Sequence, residues 1–165
     1  MPLLTVLTYP DKRLRLKAKT VESFDEALRQ QVKNMFETMY EDGGVGLAAT
    51  QVNYPWRVFV MHVSPEQNTP VCLINPEILH REGTALSEEG CLSLPDIALS
   101  IERSRKIVTR YMDEHGGSHE RTSEGLECMC IQHELDHLDG LLAIDRVSKL
   151  KQTMLIKRMM KFQRA

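Results

Sequence analysis

The segment His133-Glu134-Leu135-Asp136-His137 constrains this chain more than any other, because its two histidines are four residues apart. On a helix, side chains at that spacing point the same way, so both imidazoles can reach one metal ion. Helical spacing covers about 124–138, Gly140 follows, and three apolar residues fall on the histidine side: Leu126, Met129 and Cys130. The pattern therefore predicts a helix whose histidine side is buried. The alternative is a surface helix with solvated acidic side chains: Glu134, Asp136 and Asp139.

A catalytic metal site needs a third protein ligand, because hydrolytic zinc sites normally use three and keep the fourth position open for water. Cys91 is a candidate, since Gly90 before it permits close backbone approach and Pro95 after it stiffens the chain. A thiolate with two imidazoles suits zinc or ferrous iron and does not suit magnesium or calcium. The alternative for Cys91 is a small buried apolar side chain, which is our expectation for Cys72 and Cys130.

A glycine-rich segment, Gly44-Val45-Gly46-Leu47-Ala48-Ala49-Thr50-Gln51, precedes the central part of the chain. It lacks the Lys-Ser/Thr ending of a phosphate-binding loop and the third glycine of the dinucleotide fingerprint. Its backbone can approach a ligand closely, and the side-chain amide of Gln51 can donate a hydrogen bond to a developing oxyanion. The alternative is a tight turn that only packs helices together.

Two further segments have the spacing of helices. Residues 24–41 place apolar side chains three and four positions apart, as in a helix with one buried face. Ser23 and Glu26 match a capping box at its start, and Gly43-Gly44 permits a left-handed backbone at its end. The second segment, 148–163, is predicted to pack an apolar face on the domain through five residues: Leu150, Met154, Leu155, Met159 and Phe162.

Short runs rich in β-branched residues predict strands in the middle of the chain. They cover 58–63 and 71–74, which end near Pro65 and Pro76, and also 107–112. Strands in the middle with helices on either side predict a single-domain α+β fold for residues 1–165. In this fold a mainly antiparallel sheet surrounds a central helix that carries the His-Glu-x-x-His motif, with further helices near both ends of the chain.

The composition is that of a soluble globular protein, with 165 residues, 42% hydrophobic and 27% charged. No apolar run approaches the roughly 18 residues of a spanning helix, and the start has no secretory signal. These features predict a cytoplasmic protein without a membrane partner, whose four cysteines are free thiols or metal ligands. A net charge of -2 gives no general attraction to nucleic acid, so DNA is not an expected partner.

Three segments together resemble the ordered motifs of the peptide deformylase family: residues 44–51, Glu89-Gly90-Cys91-Leu92-Ser93 and Gln132-His133-Glu134-Leu135-Asp136-His137. The resemblance continues outside them, at Tyr9-Pro10-Asp11, Leu73-Ile74-Asn75-Pro76 and Asp145-Arg146. It implies a hydrolase that removes the N-terminal formyl group from nascent chains beginning with formyl-methionine. It also implies that Cys91, His133 and His137 hold one divalent ion, which is Fe2+ in the native enzyme and can be replaced by zinc, nickel or cobalt.

The resemblance assigns a role to each remaining site residue. Glu134 would accept a proton from the attacking water and deliver it to the leaving amine. The side-chain amide of Gln51 and the backbone N–H of Leu92 would stabilise negative charge on the formyl oxygen. Six residues would contact the substrate or line its methionine pocket: Val45, Gly46, Glu89, Leu126, Met129 and Cys130. Ala98 replaces a common arginine of the family and Glu102 a common proline, which leaves the peptide preference open.

The last part of the chain is strongly basic. Residues 148–165 contain six basic side chains and no acidic one. Cations on an outward helix face attract phosphate groups, and deformylases act on chains that emerge from the ribosome, so docking on the ribosome is a prediction. The alternative is a solvated helix face without a partner.

Two other functions are open at this point. A zincin-type metallopeptidase would usually take a third histidine or carboxylate after His137, where only Asp139 is available. A structural metal site in an RNA-binding module would favour four protein ligands, and it would leave Glu134 and Gln51 without a purpose.

Overall fold

Long strands and three helices make up most of the described chain, which in this computed structural model covers residues 3–63 and 69–163, with side chains to residue 161. The helices are α1 (Glu26–Glu41), α2 (Gly125–Leu138) and α3 (Lys149–Gln163). The strands are β1 (Gly46–Ala48), β2 (Val58–Met61), β3 (Val71–Cys91), β4 (Leu94–Met112) and β5 (Ser118–Glu124). Short 3-10 helices occupy Lys12–Arg15, Ala49–Val52 and Ala143–Arg146.

The strands of the described residues form one antiparallel sheet in the order β1-β2-β3-β4-β5. Its largest part is the long hairpin of β3 and β4, whose pairing ends where Cys91 faces Leu94. The predicted α+β fold with an antiparallel sheet is therefore confirmed. The strand predicted at 58–63 is present as β2 and the one at 107–112 as the last part of β4, while Pro65 lies outside the described residues.

The prediction that a strand ends near Pro76 is wrong, because β3 continues through this proline to Cys91. The pairing register shifts between Ile74 and Glu77, so Pro76 lies at a β-bulge, where its missing N–H does not interrupt the ladder. The neighbouring Asn75 has a positive φ of 51°, and its side chain binds both the N–H and the C=O of Val21. The bulge thus allows the strand to continue as far as the candidate site.

The N-terminal helix is present, but its start differs from the prediction. The prediction of a capping box at Ser23 and Glu26 is wrong. Asp25 is the N-cap, and its carboxylate accepts a hydrogen bond from the Leu28 N–H at 3.0 Å. At the other end Gly43 has a φ of 71°, in agreement with the glycine signal. α1 packs on β1 and β2 with its buried face, which consists of Leu28, Val32, Met35 and Met39.

The helix with the histidine pair lies in the interior of the domain. α2 matches the helix predicted at 124–138 and contacts β1, β2, β4 and β5. It packs on the sheet through its apolar side chains, among them Cys128, Ile131, Leu135 and Leu138. Glu134 and Asp136 are only 4% and 7% exposed, so the alternative of a surface helix with solvated acids is wrong. Leu126 is 58% exposed, so the expected burial of that side holds only from Cys130 onward.

The last helix buries a narrower face than the sequence predicts. In α3, Leu155 and Met159 pack against a cluster that includes Leu99 and Ile101 of β4. Leu150 and Met154 are 75% and 61% exposed, so their assignment to the inner face is wrong. Each lies five positions from a buried residue, which is a rotation of about 140° around the helix axis. The side chain of Phe162 lies outside the described residues, and no helix of the described residues is long and apolar enough to cross a membrane.

Candidate active site and metal centre

Three predicted metal ligands meet at one place. Cys91 is the last residue of β3, and His133 and His137 follow each other by one turn on α2. One ligand atom from each of the three residues lies within 4.8 Å of the other two, and the Cys91 Sγ is 3.3 Å from the His137 Nε2. The structure therefore brings the two histidines, whose spacing suggested a shared ion, together with the predicted third ligand.

The donor set and its surroundings fit a divalent metal ion. The Nδ1 of His133 is bonded to the Glu89 carboxylate at 2.8 Å, which orients the ring and leaves its Nε2 for an ion. The His137 Nδ1 is buried without a hydrogen-bond partner among the described residues, while its Nε2 faces the Cys91 sulfur. A sulfur and two imidazole nitrogens are the soft ligands that zinc or ferrous iron prefers.

The two imidazoles have opposite pKa shifts. Burial lowers the pKa of His137 well below its ordinary value, and the charges of His133 and Arg103 lower it further. Burial also lowers the pKa of His133, but hydrogen bonds with Cys91 and Glu89 outweigh it, so the net shift is well upward. His137 is thus neutral and ready to bind an ion. His133 must lose its proton when an ion binds, because metal ligands have to be deprotonated.

A buried ion-pair network holds the Glu89 carboxylate, which in turn orients the His133 ring. Glu89 accepts two hydrogen bonds from the Arg103 guanidinium, each of 2.8 Å, and Arg103 also donates to Asp136 at 2.7 Å. Burial raises the pKa of Glu89, but hydrogen bonds from Arg103 and His133 bring it down to about 2. The carboxylate of Glu89 is therefore ionised and committed to these partners.

Arg103 and Asp136 were not predicted to be partners, yet the Arg103 guanidinium donates to the Asp136 carboxylate. Both are buried. Arg103 pairs with Glu89 and Asp136, and Arg146 also pairs with Asp136, so positive and negative charges balance in the network that holds His133. The only sequence signal for this network is an acidic residue, Asp136, inside the histidine motif. Its partner could not be found from spacing, since Arg103 lies on a different element.

Glu134 is a buried carboxylate beside the ligands. It is 4% exposed, and its Oε1 has no hydrogen-bond partner among the described residues. Burial raises its pKa from 4.5 to about 7, against the lowering effect of a charged His133. A carboxyl group with a pKa near neutrality can both accept and return a proton at neutral pH, which is what a general acid–base residue requires.

The side-chain amide of Gln51 points toward the Cys91 sulfur. It belongs to the 3-10 helix Ala49–Val52, and its Oε1 accepts a hydrogen bond from the Ala48 N–H at 2.9 Å. Its Nε2 donates to the Ser93 Oγ at 3.0 Å and lies 3.6 Å from the Cys91 Sγ. Leu92 directly follows Cys91 and lines the adjacent cavity. Ser93 was part of a recognised motif, but its contact with Gln51 could not be read from the sequence.

A cavity of about 520 Å³ opens in front of these groups. All the residues predicted to contact the substrate line it: Val45, Gly46, Glu89, Leu126, Met129 and Cys130. Cys130 lies at its buried end, with 6% exposure, whereas Val45 and Leu126 are at its open side. Ala98 also lines this cavity, whereas Glu102 lines a separate polar cavity.

Gly46 lies in the cavity lining, close to the side chains of Glu134 and Cys130. A Cβ atom added to Gly46 would lie 2.5 Å from the Glu134 Oε2 and 2.8 Å from the Cys130 Sγ. Real side chains do not approach so closely. The absence of a side chain at this position therefore lets β1 pass directly beside the Glu134 carboxylate.

Comparison with known proteins agrees with this geometry. The family model of polypeptide deformylase matches residues 3–153. A peptide deformylase of Chromobacterium violaceum is 49% identical over 152 residues, which cover 92% of this chain and 91% of the relative. One of Xylella fastidiosa is 48% identical over 167 residues, which cover 99% of this chain and 98% of the relative.

Solved structures show the same fold. The crystal structure of a peptide deformylase from Legionella pneumophila superposes with a TM-score of 0.95 at 40% identity, covering 99% of this chain and 96% of that one. A peptide deformylase from Ehrlichia chaffeensis in complex with actinonin superposes with a TM-score of 0.94 at 37% identity over all of both chains. The chain therefore belongs to the peptide deformylase family, the enzymes that use a divalent metal ion to remove the N-terminal formyl group from nascent polypeptides.

Proposed function

We propose that residues 1–165 form one catalytic domain in which Cys91, His133 and His137 hold the metal ion. The single observation that carries this proposal is the convergence of one sulfur and two imidazoles within 4.8 Å. Fe2+ is the proposed native ion, because the donor set is soft and the deformylase motifs imply ferrous iron. The test is metal analysis of protein purified without oxygen, for which iron should be the main metal. Zinc as the main metal under those conditions would contradict the ferrous assignment.

The proposed reaction uses Glu134 as the residue that moves the proton. When bound, a divalent ion at these ligands acts as a Lewis acid and makes hydroxide available near neutral pH. Glu134 takes up a proton as the formyl carbon is attacked and gives it to the amine that leaves. The amine needs this proton because an amine anion is a very poor leaving group. Burial of Glu134 and its raised pKa, about 7, support both transfers.

Gln51 and Leu92 are the proposed donors to the formyl oxygen. The Nε2 of Gln51 lies 3.6 Å from the Cys91 sulfur, so it is next to the place where the formyl group must lie. The backbone N–H of Leu92 follows the same cysteine. Removal of one such donor typically costs about 2.7–4 kcal/mol of transition-state stabilisation.

The cavity offers a place for the methionine side chain and the peptide. Met129 and Cys130 line its apolar part together with Leu126, and an apolar pocket suits a thioether side chain. Val45 and Gly46 form an edge along which the peptide backbone can lie, with the backbone of Glu89 on the facing side. Formyl-methionine peptides are the substrates that this arrangement supports best.

Formate release from a formyl-methionine peptide tests the proposal directly. Glu134→Gln keeps the shape of the side chain but removes its ability to accept the proton, so we expect turnover to be lost while the metal content is unchanged. Retained turnover would remove Glu134 from the reaction. Loss of the metal would instead show that Glu134 holds the ion.

Asp139→Asn is the matched control and separates the zincin alternative. Asp139 follows α2, binds Arg57 at 2.9 Å and does not line the active-site cavity. Metal content and formate release should therefore be the same as in the wild type. A fall in metal content would favour a zincin-type site with a downstream carboxylate ligand, and a metal with no turnover in any preparation would favour the structural alternative.

We also propose that α3 docks the enzyme on the ribosome in the cytoplasm, where formylated chains emerge. Its described cations, Lys149, Lys151, Lys157, Arg158 and Lys161, are exposed, and none forms an ion pair with another described residue. Leu155 and Met159 anchor the helix to the domain, so charge reversal is a safer test than deletion. Lys157→Glu with Lys161→Glu should weaken cosedimentation with ribosomes, most clearly at low salt. Unchanged binding would reject docking through α3.

A further inference from the structure

The side-chain amide of Gln51 is held more firmly than a free donor would be. Its Oε1 accepts the Ala48 N–H, and because a backbone N–H can only donate, this bond also fixes which end of the amide is oxygen. Its Nε2 carries two hydrogens. One is donated to the Ser93 Oγ at 3.0 Å and the other to the Cys91 Sγ at 3.6 Å. The second hydrogen is therefore the one available at the candidate metal centre.

Ser93 is well placed to keep the amide in this orientation. It lies in the turn between β3 and β4, directly after Leu92, and it has no exposed surface. A buried hydroxyl that accepts the first Nε2 hydrogen limits rotation of the Gln51 amide. The second hydrogen then stays on the side of the Cys91 sulfur, where the formyl group is proposed to lie.

The backbone reinforces the same alignment. The N–H of Leu7 donates to the Gln51 C=O at 2.7 Å, and the N–H of Tyr9 donates to the Ser93 C=O at 2.9 Å. One extended segment therefore holds the 3-10 helix of Gln51 beside the turn of Ser93. As Ser93 follows Leu92, the two proposed oxyanion donors have a fixed separation.

We propose that Ser93 is a positioning residue, whose Oγ holds the Gln51 amide so that one N–H points at the formyl oxygen as negative charge develops. This inference rests on the proposed role of Gln51 as an oxyanion donor. Ser93 itself does not touch the substrate in this account. It acts through Gln51, and its effect should therefore vanish when the Gln51 amide is removed.

Ser93→Ala should lower kcat with little change in KM. The variant removes one oxygen atom and one hydrogen bond between neutral groups, for which a loss of about threefold to tenfold in kcat is expected. KM should stay close to the wild-type value, because the contact that Ser93 aligns, from the Gln51 amide to the formyl oxygen, strengthens only as charge develops on that oxygen. Ser123→Ala is the matched control, since Ser123 is a buried serine of β5 with one side-chain partner, Glu127. It should leave kcat unchanged.

A double-mutant cycle decides whether Ser93 acts through Gln51. Kinetic constants are measured for the metal-loaded wild type, Ser93→Ala, Gln51→Ala and the double variant. We expect the double variant to be no slower than Gln51→Ala alone. If Ser93→Ala lowers kcat by the same factor in both backgrounds, or in neither, the inference is overturned while the role of Gln51 stands. If Gln51→Ala alone has full activity, both the proposed role of Gln51 and this inference are overturned.

A spectroscopic readout on the metal-free protein separates positioning from general destabilisation. The side-chain NH₂ resonances of Gln51 are assigned in glutamine-labelled protein by their loss in Gln51→Ala. Ser93→Ala should shift these resonances and speed their exchange, while those of Gln132, which binds Ser104 and Cys128, stay unchanged. Unchanged Gln51 resonances in Ser93→Ala would overturn the inference, even if the variant were less stable.

Discussion

Replacing Arg103 with methionine should destabilise the protein far more than the same change at an exposed arginine. The guanidinium is 5% exposed, donates twice to Glu89 at 2.8 Å and once to Asp136 at 2.7 Å. Methionine keeps the apolar stem but leaves His133 as the only side-chain partner of Glu89 among the described residues. Breaking a buried ion pair by removing one side costs about 3–5 kcal/mol. For a chain of this size, that is a fall of roughly 6–20 °C in melting temperature.

The loss should become smaller at low pH. Burial raises the pKa of Glu89, yet hydrogen bonds from Arg103 and His133 lower it from 4.5 to about 2. A carboxyl group whose pKa is lower in the folded state contributes stability that is present above its unfolded pKa and is lost as pH falls toward the folded one. The difference between wild type and Arg103→Met should therefore narrow as pH falls from about 5 toward 2.

Urea denaturation of the metal-free protein at several pH values measures this difference without a contribution from the ion. Arg110→Met is the matched control, because Arg110 also lies on β4 and binds Glu77 at 3.0 Å, but its side chain is 53% exposed. An exposed pair of this kind is worth about 0–1 kcal/mol. If Arg103→Met cost no more than Arg110→Met, the buried network would not be what holds Glu89 behind His133.

Single substitutions at Gly46, Cys91 and Asp25 each test one contact. Gly46→Ala should lower kcat/KM by roughly 10²-fold at unchanged melting temperature, because the added Cβ would displace the Glu134 carboxylate; normal kinetics would contradict the close contact. Cys91→Ala should lose its metal during dialysis, as measured by metal analysis, and full retention would exclude the sulfur as a ligand. Asp25→Ala should cost about 1 kcal/mol in urea denaturation through the lost N-cap of α1, and no loss would contradict this cap.

Much of the fold could be predicted where a local pattern dominates. The helices at the histidine motif and after residue 24 were visible because their apolar spacing matches one buried face. β1 and β5 were not predicted, since β1 has only three residues and β5 is largely polar. The course of β3 beyond Pro76 was missed because the bulge at Asn75 depends on side-chain bonds to Val21, far away in the sequence.

The candidate site divides in a similar way. The meeting of Cys91 with the two histidines and Glu134 could be predicted, because helical spacing and a recognisable motif indicate it. The contacts that position the site residues are long-range. Arg103 on β4 donates to Glu89, and Gln51 donates to Ser93 on a different element. Such contacts leave no periodic signal in one sequence. Burial of Asp136 could not be predicted either, since a charged residue on a helix is usually exposed.

The most direct test of the central claim is X-ray absorption on the zinc-loaded protein. We expect one sulfur at about 2.3 Å from the zinc ion, two imidazole nitrogens at about 2.0–2.1 Å and one oxygen from water. Protein with Cys91 replaced by alanine should lose the sulfur contribution. A spectrum without sulfur, or with four protein ligands and no oxygen, would contradict the three-residue centre on which the proposed hydrolysis depends.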